Sequence, residues 1–281
     1  MELSLAQTVL LPAIVAVALL LLPRGSWCIE RAPAQVAPWT AGFALPSAIL
    51  IAVYLIEGAP ALALTQRWHA VWLAALVFAV TATPAAFPLH MPRNQPFLLG
   101  LSAALAMLML RLPNLDSWTV RILLAVVGAL FAGRVAAVAE QLPRASTLVI
   151  ATSMTAITVM LLAAGSLKAG LIAASIACAS GAALFVTLRV PTLLPGGAFA
   201  ASAMVVLFSL AWYGAAYHGS PAIRWVNWAA IAGSGVFICL VPLNRSGPSP
   251  QARPRRIVIA ATTASCVIAV ATAFHTVLVT A

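Results

Sequence analysis

Few side chains in this 281-residue sequence can do acid–base or ionic chemistry: five Asp and Glu, fifteen Lys and Arg, and four His. Glu57 closes an apolar run in Tyr54-Leu55-Ile56-Glu57-Gly58-Ala59-Pro60, with more apolar sequence, Ala61–Leu64, beyond it. A carboxylate at such a depth is costly unless it is partnered, which makes it a candidate site. If the segment after it dips back into apolar surroundings, Glu57 binds a proton or a cation. If that segment is an ordinary loop, Glu57 is an interfacial carboxylate. Tyr54, in the same run, is grouped with it. Arg134 stands seven residues from the end of another apolar run, roughly 10 Å along a helix. From there a guanidinium can snorkel to the interface, pair with a carboxylate or hold an anionic solute. A third run carries Thr152, Ser153, Thr155 and Thr158, and Thr155 is the candidate taken from it for contact with a solute.

A basic cluster lies in Leu243–Arg256, where Arg245 precedes Arg253, Arg255 and Arg256. Beside a membrane, such a cluster either binds anionic lipid headgroups or keeps its loop on the cytoplasmic side. His69, His90, His218 and His275 are scattered, with no second ligand at i+3 or i+4. Cys28, Cys178, Cys239 and Cys266 make no CxxC pair. The reading is therefore no metal, no cofactor and no catalytic set. Arg67-Trp68-His69 and Tyr217-His218-Gly219, followed by Trp225 and Trp228, resemble in letters short stretches of membrane-bound O-acyltransferases and wax synthases. The likeness covers only those few residues; it implies acyl transfer onto a lipid.

The elements that position these residues follow from composition. Hydrophobic residues make up 63%, charged residues 7%, and mean hydropathy is +1.07. A soluble domain carries about 25% charged residues, so there is too little polar surface here to cover a water-soluble globule. The net charge of +10 does not point to nucleic acid, because the basic residues stand singly between apolar runs. A soluble enzyme, a disulfide scaffold and a disordered tail are excluded as well. The fold class is an all-α, polytopic transmembrane bundle.

Ten runs approach the length of a transmembrane helix, about 20 residues. They are Leu3–Pro23, Thr40–Glu57, Trp68–Thr83, Phe97–Leu112, Trp118–Glu140, Ser146–Gly165, Lys168–Arg189, Gly196–Tyr217, Ala222–Pro242 and Arg256–Ala281. Glu2 precedes the first run and Arg24 follows it, the charge order of a retained first helix rather than a cleaved leader. Pro12 and Pro46 fall inside runs, where they kink helices. Prolines at 84, 88, 92 and 96 imply an extended connector. Nine basic residues in the odd-numbered loops against five in the even-numbered ones put the odd loops inside and both termini outside. Small residues recurring at Gly170, Ala174, Cys178 and Ala182, with Thr262, Thr263, Ser265 and Cys266 later, mark the sixth, seventh and tenth helices as the interior.

The chain forms one membrane domain, 1–281, divisible into two five-helix halves, 1–140 and 146–281. An odd number of helices per half requires an inverted repeat. The functional expectation is a carrier of a small neutral or anionic solute in the bacterial cytoplasmic membrane. The alternatives are a non-catalytic subunit or assembly factor, and the lipid or acyl-transfer enzyme. Expected partners are the lipid bilayer and either other membrane subunits or a second copy of the chain, with no nucleic acid.

Overall fold

In a nonpolar medium a backbone N–H or C=O has only the chain itself to bond with, so apolar runs fold as helices. The computed structural model describes residues 5–21, 38–58, 69–86, 95–110, 117–190, 195–217, 225–234 and 252–280. All regular structure among them is helical: α1 (Leu5–Leu21), α2 (Pro38–Glu57), α3 (His69–Ala86), α4 (Gln95–Leu108) and α5 (Trp118–Gln141), then α6 (Pro143–Ala163), α7 (Leu167–Arg189), α8 (Gly196–Tyr217), α9 (Trp225–Ser234) and α10 (Ala252–Thr280). Five of them, α2 and α5 to α8, are long and apolar enough to cross a membrane. The apolar parts described for α1, α3, α4 and α10 are shorter.

Several boundaries differ from the sequence reading, each for a local reason. Helix α6 begins at Pro143 rather than Ser146: proline suits the first helical position, where no N–H partner is needed. Helix α3 runs through Pro84 to Ala86, and α4 already contains Pro96 in its first turn. The proline-spaced connector is therefore helical at both ends, and residues 87–94 lie outside the described chain. Helix α10 starts at Ala252, which places Arg253, Arg255 and Arg256 in its first turns instead of a loop. Their side chains lie outside the described residues. So does the segment after Glu57, residues 59–68, on which the dip-or-loop question turns.

Pro12 and Pro46 sit inside α1 and α2 as expected. Pro12 has no N–H to offer the carbonyl of Thr8, four residues back. The hydroxyl of Ser175, fully buried on α7, donates to that carbonyl at 2.9 Å. The same hydroxyl proton is shared with the Leu171 carbonyl of its own helix at 3.0 Å, so a neighbouring helix makes good part of the backbone bond that proline removes.

Helix α8 is the hub. It packs against α2, α3, α4, α5, α6 and α9, and most of its residues from Gly197 to Leu210 are fully buried alanines, serines and aliphatics. Helices α6 and α7 form a tight hairpin closed by Gly165, whose φ of +79° is left-handed. Ser166 N–H donates to the Leu161 carbonyl and Gly165 N–H to that of Leu162, the two bonds of a Schellman turn. A Cβ on Gly170 would meet the Leu162 side chain at 2.4 Å, so glycine there lets the hairpin close. The expected small-residue stripe of α7 is otherwise turned away from the core. Cys178 is exposed and Ala174 and Ala182 are half-buried, while Ala169, Ile172, Ala173, Ile176 and Ala183 form the buried face.

Candidate functional site

The ends of α2 and α8 and the beginnings of α3 and α7 meet at one end of the bundle. Glu57, the last residue of α2, keeps only 8% of its side chain exposed. His69, the first residue of α3 and 2% exposed at its side chain, places Nε2 2.9 Å from Glu57 Oε2. An ionised carboxylate only accepts, so the imidazole donates. Lys168, in the first turn of α7, reaches Glu57 Oε1 at 3.2 Å with its side chain 63% exposed. It is the only lysine in the sequence, among fourteen arginines. Tyr213 of α8 hydrogen-bonds Ser166 and lies within electrostatic reach of Glu57 and Tyr217; the two tyrosine rings stack at 4.9 Å.

One carboxylate thus ties three helices together, and a fourth stands beside it. Below the cluster, Ile49, Trp72, Ile172 and Tyr213 help line a cavity of about 10 Å³, room for about one water. The indole N–H of Trp72 is buried and has no hydrogen-bond partner among the described residues. The arrangement sets a carboxylate, an imidazole and an ammonium within hydrogen-bonding distance where three helices join.

The opposite end carries a different carboxylate. Glu140, next to last in α5, accepts the backbone N–H of Gly197 at 2.6 Å and so caps the start of α8 from another helix. The caps are glycine for two reasons: Gly196 has a φ of +69°, and a Cβ on Gly197 would lie 2.9 Å from the Ala136 carbonyl. Glu140 and Arg144 belong to different helices, joined at Leu142.

A third polar feature lies at mid-helix. Ser153, the midpoint of α6, bonds Ser234 of α9 at 2.7 Å. Ser234 spends its own proton on the Ile231 carbonyl at 2.6 Å, so Ser153 is the donor. Thr262 of α10 donates to the Ser234 carbonyl at 3.3 Å, and Cys266, one turn further along α10, is buried.

Of the four candidates for solute or ion contact, Glu57, Tyr54, Arg134 and Thr155, only Glu57 stands in a described cluster. Tyr54, one turn before it, is 58% exposed. Thr155 is exposed, and its hydroxyl bonds back to the Ala151 carbonyl of its own helix at 2.8 Å. Arg134 is half-buried and borders an outer groove between α4 and α5. His69 has a partner after all, across the α2–α3 connection rather than at helical spacing. Sequence reasoning also passed over Lys168 and Tyr213. A sole lysine opening a helix was the available signal, since lysine is the point-charge partner among otherwise forked cations. No described group of three or more His, Cys, Asp or Glu side chains is placed to hold a metal ion. No protein-family model matches the chain, and no curated protein or solved structure matches it either.

Proposed function

We propose that the chain is a multi-pass carrier of a small neutral or anionic solute in the bacterial cytoplasmic membrane, crossing it about ten times. The observation that carries this reading is the buried Glu57–His69 pair, bridged by Lys168 to a third helix. A carrier must alternate between packings of the same helices, and a ligand drives that change only by binding the two packings unequally. A proton taken up at the Glu57 carboxylate has this property, because it changes the charge at the join of α2, α3 and α7. The groups facing it are His69, Lys168 and Tyr213. The hydroxyl seam of Ser153, Ser234 and Thr262 offers neutral hydrogen-bonding atoms at the depth where carriers hold their solutes. By the arginine count, the Glu57 end faces outward and the Glu140 end faces the cytoplasm. A periplasm-active reporter fused after Ser249 should then be silent, whereas one fused at Ala281 should be active.

The test is uptake by proteoliposomes from a mixture of neutral and anionic metabolites under an imposed pH gradient, read by mass spectrometry of the lumen. Wild-type protein should accumulate at least one solute, and Glu57→Gln should lose the dependence on the gradient. No accumulation by the wild type, with or without a gradient, overturns the carrier reading.

One observation favours the subunit alternative. A groove of about 580 Å³ between α5, α8 and α9 is lined by Phe131, Phe208, Trp212, Trp225 and Trp228, an aromatic surface of the kind that anchors a partner helix. Fixed-stoichiometry copurification with another membrane protein would support it. The acyl-transfer alternative rests on Arg67 and His218, both outside the described residues.

A further inference from the structure

Helices α4 and α5 are the most extensively packed pair in the bundle, and glycine brings their backbones together. A Cβ on Gly100 would lie 2.7 Å from the Ala129 carbonyl oxygen, and one on Gly133 would lie 2.8 Å from that of Pro96. Such close approach leaves no side chain on the seam to fill the outer flank. The result is a groove of about 630 Å³ along the outside of the pair. Its walls include Phe97, Leu101 and Leu108 from α4, and Val126 and Leu130 from α5. Phe97 and Leu130 are 73% and 69% exposed, which places the groove on the outer surface of the bundle.

The chemistry of the groove changes at one end. Arg134 is the one charged residue among the described groove-lining side chains. It lies one residue beyond Gly133, beside the first turn of α4, where a helix N-terminus adds partial positive charge. Seven residues separate Arg134 from the end of α5, about 10 Å, a depth from which its side chain reaches the headgroup zone. A long apolar trough closed by a cation at the interfacial end complements an acyl chain joined to an anionic head.

We propose that this groove is a binding site for an anionic phospholipid, with an acyl chain lying between α4 and α5 and the phosphate against Arg134. The site is separate from the Glu57 cluster and does not depend on the carrier reading. A basic residue near the membrane surface favours an anionic headgroup by roughly fivefold.

Native mass spectrometry of delipidated full-length protein with equimolar phosphatidylglycerol and phosphatidylcholine tests it. Wild type should retain phosphatidylglycerol over phosphatidylcholine by about fivefold. Arg134→Ala should bring the ratio near one, and Arg134→Lys should keep most of the preference. Ala104→Trp, which fills the groove, should reduce retention of both lipids. Should Arg134→Ala not fold, a photoactivatable acyl-chain phosphatidylglycerol on wild type decides: label on α4 and α5 residues supports the site, and label elsewhere overturns it. Unchanged preference in Arg134→Ala overturns it as well. So does displacement by inorganic phosphate, which would mark an anion site with no part for the acyl chain.

Discussion

Glu57 and Glu140 are the same side chain in nearly the same setting, each at the end of a long apolar helix. They sit at opposite ends of the bundle, separated by about 25 Å along α8. Glu57 is met by side chains, an imidazole and an ammonium from two other helices. Glu140 is met by a backbone N–H. A backbone amide does not titrate, so the Glu140 join is fixed in charge whenever the carboxylate is ionised. The Glu57 join instead depends on two side chains from other helices, so it holds only while those side chains keep their places. Burial separates them too: Glu57 is almost enclosed, while Glu140 is exposed. Two equal residues thus serve as a backbone cap at one end and a side-chain tie between helices at the other, the partner deciding which.

The contrast can be broken most sharply by chemistry. A water-soluble carbodiimide should activate the Glu57 carboxyl as an O-acylisourea, which the Lys168 amine attacks to form an amide that links the α2 and α7 peptides, the carbodiimide leaving as its urea. Because Lys168 is the only lysine, the cross-linked peptide is unambiguous by mass. It should vanish in Glu57→Gln and in Lys168→Arg, and no linkage should arise from Glu140. A Glu140–Lys168 product would mean that the two ends are not where they are described.

Stability gives the next effects in size. Glu57→Ala leaves His69 buried without its carboxylate and should lower unfolding stability by about 3 kcal/mol. That is the low end for a broken buried pair, since the other partner of the carboxylate, Lys168, is mostly exposed. Thermal unfolding in detergent measures it. Glu140→Ala removes one cap bond and should cost about 1 kcal/mol in the same assay. Equal losses for the two alanine variants would erase the distinction between tie and cap. Smallest is Lys168→Ala, whose mostly exposed ammonium should be worth under about 1 kcal/mol. Tyr54→Phe, on the open side of α2, should change nothing measurable.

Helices were legible from apolar runs because a nonpolar solvent leaves the backbone almost no alternative. Their ends were less so. Pro143 reads as a breaker when it is in fact a starter, and the difference depends on which neighbouring residue begins the turn. Glu57 was legible as a lone carboxylate in apolar sequence, but its partners were not. His69 lies twelve positions away across a connection, and Lys168 arrives only because α2 packs on α7, a fact of tertiary structure. Thr155 misled for a local reason: a helical threonine can spend its hydroxyl on its own backbone. Hydroxyl content alone therefore does not locate an interior. The Ser175–Thr8 bond was half visible, since proline announces an orphaned carbonyl but not who will satisfy it.

The burial of α8 bears on how the protein is made. Its neighbours α2 to α6 all leave the ribosome before it, and α9 follows. Until α8 emerges, those earlier helices have no central member to close upon and must wait in lipid or beside the insertion machinery. A nascent chain stopped before Gly196 is thus a ring of walls lacking its post. Pairs such as α4–α5 and α6–α7 are complete in sequence before it, but the contacts that join them through α8 are not.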